Sequence, residues 1–594
     1  MATRDRVRIG SASGFWGDTA IAAPQLVEGG NVDFLVFDYL AEVTMSIMAA
    51  QRAKNPLAGF ATDFVEITMR QLLPALQEKG IRVVANAGGV NPIACRDALQ
   101  RVADEHEIPL RIGVVLGDDL QDRADALRAS GVTELYSGEP FPERVASVNA
   151  YLGAIPIARA LDAGCDVVIT GRCVDSAVTL GVLMHAFGWG PEEHDKLAQG
   201  TLAGHLVECG AQCTGGLFTD WESVPDWENI GFPVLEASPD GSFTIEKPPG
   251  TGGLVSVASV AEQLLYEIGD PRSYFVPDVT CDFTGVRFEQ LGSDRVRVSG
   301  ARGRPPTDTY KVSLTFADGY RNTAFLTIGG ERAAEKARRT GHAILARTSR
   351  MIDMMGLPPY TESRIEVLGA EDMFGGNANP VSREVVLKIA VKAPSRASLS
   401  LFAREFAPAG TSMAPGTCGL VGGRPTPTPV IRLFSFLLPK REIAVEIDVD
   451  GERRTVTVPA DGGFDAGDLP PALSHPSAEP DSPTREVPLI RLAWARSGDK
   501  GNKANIGVIA RDPAYLPWLS EWLTPKRVAA HFAHRAPSLV ERFDLPGFGA
   551  MNFLLHDALG GGGMASLHTD NLAKAYAQVL LTMRVPVPDS VEIR

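Results

Sequence analysis

Cysteine is scarce in this 594-residue chain: seven, at positions 95, 165, 173, 209, 213, 281 and 418. An odd count with no repeated spacing, in a long chain, excludes a disulfide framework. Positive charge is also short. Lys and Arg number 57 against 72 Asp and Glu, a net charge of −15 at pH 7. With no Lys/Arg-rich run, that balance argues against nucleic acid or an anionic membrane as partner. Long apolar runs are missing, since no stretch reaches the roughly 18 residues of a membrane span. The opening MATRDRVRIG passes from charges straight into a strand, without the apolar centre of a signal peptide. The expectation is a soluble protein of a reducing cytoplasm whose partner is a small molecule. What is present is an ordinary globular composition, 44% apolar and 22% charged. It is spread over more chain than one core of roughly 250–300 residues accommodates.

From residue 6 to about 185, short apolar runs (VRIG, VDFLVFDYL, IRVVANAGG, LRIGVVLGDD, CDVVITGRC) alternate with amphipathic helical patterns such as DFVEITMRQLLPALQEKG. That alternation predicts βαβ units around a mainly parallel sheet, open or closed, in an α/β domain over 1–275. Residues 276–458 read as an α+β region with antiparallel hairpins. YKVSLTFADGYRNTAFLTI is predicted to turn at Asp318-Gly319 and EIAVEIDVDGERRTVTV at Asp450-Gly451. GGERAAEKARRTGHAILARTSRMIDMMG is predicted as a long helix between them. Residues 459–486, rich in Pro, Asp, Ser and Gly, read as a linker. The last unit, 487–594, orders strand, strand, helix, strand, helix, strand, as in a ferredoxin-like α+β sandwich.

Ligands in parallel α/β sheets bind beyond the carboxyl ends of the strands, so the residues that follow each predicted strand are candidates. GSASGFWGD brings Ser11, Ser13 and Gly14. It is neither a dinucleotide fingerprint nor a nucleophile elbow, and reads either as a glycine-lined contact or as a tight turn. Asp38 and Glu42 would share a face if their segment were helical. A paired carboxylate is a candidate general acid or base, and the bland alternative is charge at a helix start. NAGGVNP supplies Asn86, Gly88, Gly89 and Asn91, with Asn91 as N-cap before Pro92, and such a helix start can also bind an anion. Arg172 and Asp175 are a carboxylate or phosphate clamp or a structural ion pair. His205, Cys209 and Cys213 fall at i, i+4 and i+8, but three such residues stretch over about 12 Å of helix. A buried helix face is the better reading there than a metal site, and no cofactor is called for.

Near the C-terminus, two apolar runs, 489–495 and 504–510, flank RSGDKGNK. A turn needs Gly or Asn but not an arginine, an aspartate and two lysines as well. Arg496, Asp499, Lys500 and Asn502 are therefore expected to meet an anion, in a loop that closes the cleft of the large domain. LGGGGMASLHTDN is a second glycine stretch, expected to lead into a helix capped by Thr569 or Asp570.

Taken in order, IGSASGFWGDT, DFLVFDYLAEVTM, NAGGVNP and VVITGRCVDSAVTLG resemble the N-terminal part of the acyclic terpene utilisation protein A family. ARSGDKGNKANIGVIAR with FLLHDALGGGG resembles its C-terminal ferredoxin-fold domain. The resemblance implies a bacterial, cytoplasmic protein of acyclic terpenoid catabolism, the citronellol and geraniol route through CoA thioesters. It implies a lyase acting on a branched 3-hydroxyglutaryl-type CoA ester, and it names no catalytic residues. It implies no redox role either, because no cysteine follows Cys418. The expectation is a lyase or hydratase, forming a homo-oligomer, for a branched acyl-CoA or related acid. Asp38 and Glu42 would be its bases, and Arg172, Asp175 and the Gly88-Gly89 backbone would face the developing charge. The alternatives are a non-catalytic scaffold of the same pathway and a metal-dependent lyase.

Overall fold

The five apolar runs form five parallel strands because each is buried on both faces between helices. They are β1 (Val7–Ser11), β2 (Phe34–Phe37), β3 (Arg82–Ala85), β4 (Ile112–Leu116) and β6 (Val167–Thr170), paired in the order β1-β2-β3-β6-β4. A further short strand, β5 (Ser147–Ala150), lies between β4 and β6 in sequence. The computed structural model describes residues 5–420, 422–471, 484–563, 565–589 and 592–593. The sheet is open and has eleven strands. Val234–Ala237 adds to β1 and Glu446–Val449 adds to β4, both antiparallel. The expected parallel sheet is thus the centre of a larger mixed one.

The boundary expected at 275/276 is crossed by strand pairing in both directions. Glu446–Val449 comes from the far side of it, as half of a hairpin whose turn residues Asp450 and Gly451 both have positive φ, 57° and 81°. The second expected hairpin does not form. Thr309–Gly329 is one 21-residue strand, with Asp318-Gly319 a register shift between Ala317 and Tyr320. The strand Thr428–Pro439 runs beside both halves and holds them in line, so the Asp-Gly pair bulges instead of turning. This long strand also pairs with β5 and with Glu384–Ala393, which carries the expected helix, Ala333–Met354, on its face.

The C-terminal unit builds a four-stranded sheet in the order 493–500, 503–510, 550–555, 540–545. Thr484–Pro488 pairs with Arg584–Pro588 beside it. The expected loop 496–503 is a correction: Arg496 to Lys500 belong to the strand Ala493–Lys500, and only Gly501 and Asn502 turn. Residues 472–483 of the expected linker lie outside the described residues. The helix after the second glycine stretch begins at Tyr576. Asp570 precedes it and accepts the Lys574 and Ala575 amides, while the Thr569 hydroxyl donates to Glu366. All seven cysteines are free thiols, and among the described residues no helix is long and apolar enough to cross a membrane.

The small unit lies directly on the large one. Ala495 and Thr219 exchange two hydrogen bonds. Asp220 takes Trp494 at 2.7 Å and Arg511 at 2.5 Å. Asn505 and Asn552 bond the backbone of 265–269. The approach demands glycine: a Cβ on Gly507 would stand 2.3 Å from Leu265, and one on Gly498 2.6 Å from Glu267.

A charged cleft between the two units

β2 ends at Phe37, so Asp38 emerges at the carboxyl end of the sheet, 7% exposed. Asn86, emerging from β3 beside it, donates to Asp38 Oδ1 at 2.5 Å while its own oxygen accepts the Tyr39 amide. The Ser13 hydroxyl donates to the Asp38 carbonyl. Burial, then the neighbouring Asp175 and Glu208, push the Asp38 carboxyl well above the usual carboxylate range, with Arg172 and Asn86 opposing. Burial thus favours the protonated form of Asp38. Its carboxylate neighbours are not the expected one, because residues 38–41 are not helical and the helix starts only at Glu42. Glu42 instead accepts from Tyr151 at 2.5 Å and lies 3.9 Å from Lys311. Burial would raise its pKa, but Lys311, Arg172 and Tyr151 outweigh burial and hold it at about 2.

Arg172 follows β6 and is 4% exposed. Its guanidinium bonds Asp175 at 2.6 Å and the Cys173 carbonyl, and stacks over the Tyr151 ring at 4.1 Å. Its Nε is buried and has no hydrogen-bond partner among the described residues. The ion pair is therefore real, and one donor is still left over. Asp118, at the end of β4, accepts the Arg172 amide at 2.8 Å and the Asn149 side chain at 2.9 Å. Burial lifts its carboxyl to about 7.

The other charged groups of the cluster come from elsewhere. Beyond the helix His194–Val207 lies Glu208, bonded to His205. Glu267 lies beneath the small unit. Burial would raise its pKa, but Lys500 and Lys574 outweigh that and keep it ionised. From the hairpin of the small unit, Lys500 reaches 3.8 Å from Glu267 with its side chain 51% exposed. The charges of Glu267, Asp175 and Glu42 overcome desolvation and hold Lys500 protonated. Asp499 lies 3.3 Å from Lys574, its carboxyl raised to about 6 by burial and then by Glu267.

The remaining sequence candidates have other neighbours. Arg496 is buried, donating to Leu217 and Gln212 and stacking on Tyr266, so it joins the two units instead of facing the cleft. Asn502 bonds Asp557 and the Gly561 amide, ordering the second glycine stretch. The Gly88 amide is taken by Thr170 and the Gly89 amide by Asn86. A Cβ on Gly89 would lie 2.2 Å from Met48 Sδ. Neither amide is thus a free donor. Asn91 occupies the N-cap position without a side-chain cap bond and donates instead to Pro56 and Ala58. Gly14 packs on the Cys209 backbone, and Ser11 is buried with an unpartnered hydroxyl. Cys213 lies in a separate 3₁₀ turn past the helix end, so the His205, Cys209, Cys213 stripe does not continue. Among the described residues no group of three or more His, Cys, Asp or Glu side chains is arranged to hold a metal ion.

Asp118 was within reach of the strand-end rule, since it directly follows a predicted strand. Glu208, Glu267 and Lys574 carry no such local signal. Only the docking of distant segments makes them neighbours.

These features define a two-part α/β protein in which the ferredoxin-like unit adds Lys500 and Asp499 to a cluster of acids and bases at the carboxyl edge of a parallel sheet. The chain matches the acyclic terpene utilisation family protein AtuA over residues 7–449 and the AtuA ferredoxin-like domain over 487–586. It belongs to that family, which places it in acyclic terpene utilisation. No curated protein and no solved structure matched.

Proposed function

We propose that the chain is a lyase or hydro-lyase acting on a branched, terpenoid-derived acyl-CoA or the related carboxylic acid. One observation carries the reading: Asp38, buried at a strand end with its protonated form favoured, shares a charge cluster with the Arg172 guanidinium, whose buried Nε has no partner among the described residues. Loss of water from a 3-hydroxyacyl group needs a proton donor at the departing hydroxyl and a fixed cation near the carbonyl that becomes an enolate. Asp38 supplies the first and Arg172 the second. Lys500, charged and half exposed at the lip, suits an anionic group such as a carboxylate or the phosphates of a CoA arm. Membership of a terpene utilisation family supports the substrate class.

The test is a thermal-shift and turnover panel of branched 3-hydroxyacyl-CoAs, their enoyl counterparts and the free acids. At least one pair should stabilise the protein and interconvert, and Asp38→Asn should keep the shift while losing on the order of 100-fold or more in turnover. If no compound shifts or reacts, or if Asp38→Asn turns over like the parent, the reading falls and an accessory, non-catalytic subunit becomes the better description.

A further inference from the structure

An elimination needs a proton acceptor as well as a donor. Burial favours the protonated form of Asp38, and Glu42, held at about 2, is too weak a base to take a proton. A different pair has the required properties. His205 is 1% exposed. Its Nε2 lies 3.0 Å from the Leu264 carbonyl oxygen and its Nδ1 3.1 Å from Glu208 Oε1. A carbonyl oxygen only accepts, so Nε2 must carry a hydrogen. Nδ1 and Oε1 then need one more proton between them, since two acceptors cannot bond. Packing against Tyr274 and stacking on Phe283 keep the ring in this orientation. The second carboxylate oxygen, Glu208 Oε2, is buried without a hydrogen-bond partner among the described residues, on a side chain 10% exposed. The groups facing the pair are Asp175, Asp38, Cys209, Tyr274 and Lys500.

We propose that Glu208, sharing a proton with His205, is the proton acceptor of the cleft. It takes a hydrogen from the carbon next to the substrate carbonyl while Asp38 gives one to the departing hydroxyl. This rests on the lyase or hydratase reading above. The C–H electron pair becomes the new C=C bond, the C–O pair leaves with oxygen, and the Asp38 proton completes a water molecule. The incoming proton binds Oε2 as the shared proton passes from Oε1 to Nδ1. Positive charge ends on His205 and Asp38 is left as a carboxylate. The pair then releases one proton to solvent and Asp38 takes one up. Asp175 and the new Asp38 carboxylate favour the imidazolium, whereas Lys500 opposes it. Glu208 is the group that meets substrate. His205 acts through it, as a positioning and proton-holding residue.

Two measurements test this on the intact chain. In turnover, Glu208→Gln should lose on the order of 100-fold or more while keeping the ligand-induced thermal shift. Glu208→Asp should recover part of the rate, and His205→Gln should move the limb of the pH–rate profile that reports the acceptor. If the parent turns over and Glu208→Gln stays within about twofold of it, the inference is overturned while the lyase reading survives. If the parent turns over nothing, the lyase reading fails, and nitrogen-15 histidine NMR still decides the pair. Among the ten histidines, His205 is assigned by the signal missing from His205→Gln or, should that variant not fold, by the signal that Glu208→Gln moves. It should keep hydrogen on Nε2 and show a shared proton on Nδ1 that Glu208→Gln removes. Ring signals that titrate like an exposed histidine, with no response to Glu208→Gln, overturn the pair itself.

Discussion

Replacing Asp118 by Asn should remove a pH dependence whose size follows from the fold. Asp118 is 3% exposed, and burial raises its carboxyl from the ordinary 3.8 to about 7 against opposing hydrogen bonds from Arg172 and Asn149 among others. Between those values the native chain keeps a proton that the unfolded chain has released. Stability is therefore greatest at low pH and declines as pH rises toward 7, with a slope of roughly 1.4 kcal/mol per pH unit for this one group. From pH 5 to 8 that amounts to about 2.6 kcal/mol, the slope flattening near 7 as the native group ionises too. Asn cannot ionise and can still accept from the Arg172 amide and Asn149. Wild type and Asp118→Asn should be compared by denaturant midpoint at pH 5, 6, 7 and 8, because the difference between them cancels titrations they share. Wild type should lose ground to the variant by about 2–3 kcal/mol across the range. A difference that stays flat within about 0.5 kcal/mol would refute a protonated Asp118 and the burial argument behind it.

Arg172→Lys keeps a charge but loses Nε and the planar stack on Tyr151, so turnover should drop by about 100-fold or more with the fold retained by circular dichroism. Lys500→Ala should change stability by less than about 1 kcal/mol, because the side chain is half exposed, yet weaken binding of an anionic ligand about tenfold in a titration. Lys388 is buried between Glu366 at 2.8 Å, the Leu567 carbonyl and the Thr569 hydroxyl. Lys388→Met removes one cation from Glu366, which keeps Arg364 at 3.0 Å and the Thr569 hydroxyl, and should cost about 1–3 kcal/mol in unfolding free energy. The pair Lys388→Met with Glu366→Gln should cost less than the two single changes summed.

What the sequence disclosed about the fold follows from how local each feature is. The five parallel strands were legible because burial on both faces leaves an unbroken apolar run. The Asp450-Gly451 turn was legible because its two residues supply the positive φ values a tight hairpin needs. Asp318-Gly319 carries the same signature but bulges, since its conformation is set by Thr428–Pro439 more than a hundred residues away. The cleft divided in the same manner. Asp38, Arg172 and Asn86 follow strands and are neighbours in space. Asp38 and Glu42 were paired by a helical spacing that the chain does not adopt. Arg496 and Lys500 look alike in sequence and, four apart in one strand, share a face, yet Arg496 is buried against Leu217 and Gln212 while Lys500 stands half exposed at the hairpin end. His205 and Glu208 gave a helix pattern only, because what makes them a proton-sharing pair is the carbonyl of Leu264, contributed by another segment.

The docking of the last unit on residues 265–269 also bears on how the protein is made. Leu265, Tyr266 and the backbone carbonyls that Asn505 and Asn552 cap are finished in translation long before their cover, which begins near residue 487. At 5–20 residues per second the last hundred or so residues take roughly 5–20 s to synthesise. For that interval a nascent chain with its large sheet already formed presents a bare, partly apolar face. Chaperone demand, and loss to aggregation when the C-terminal unit is truncated, should concentrate there.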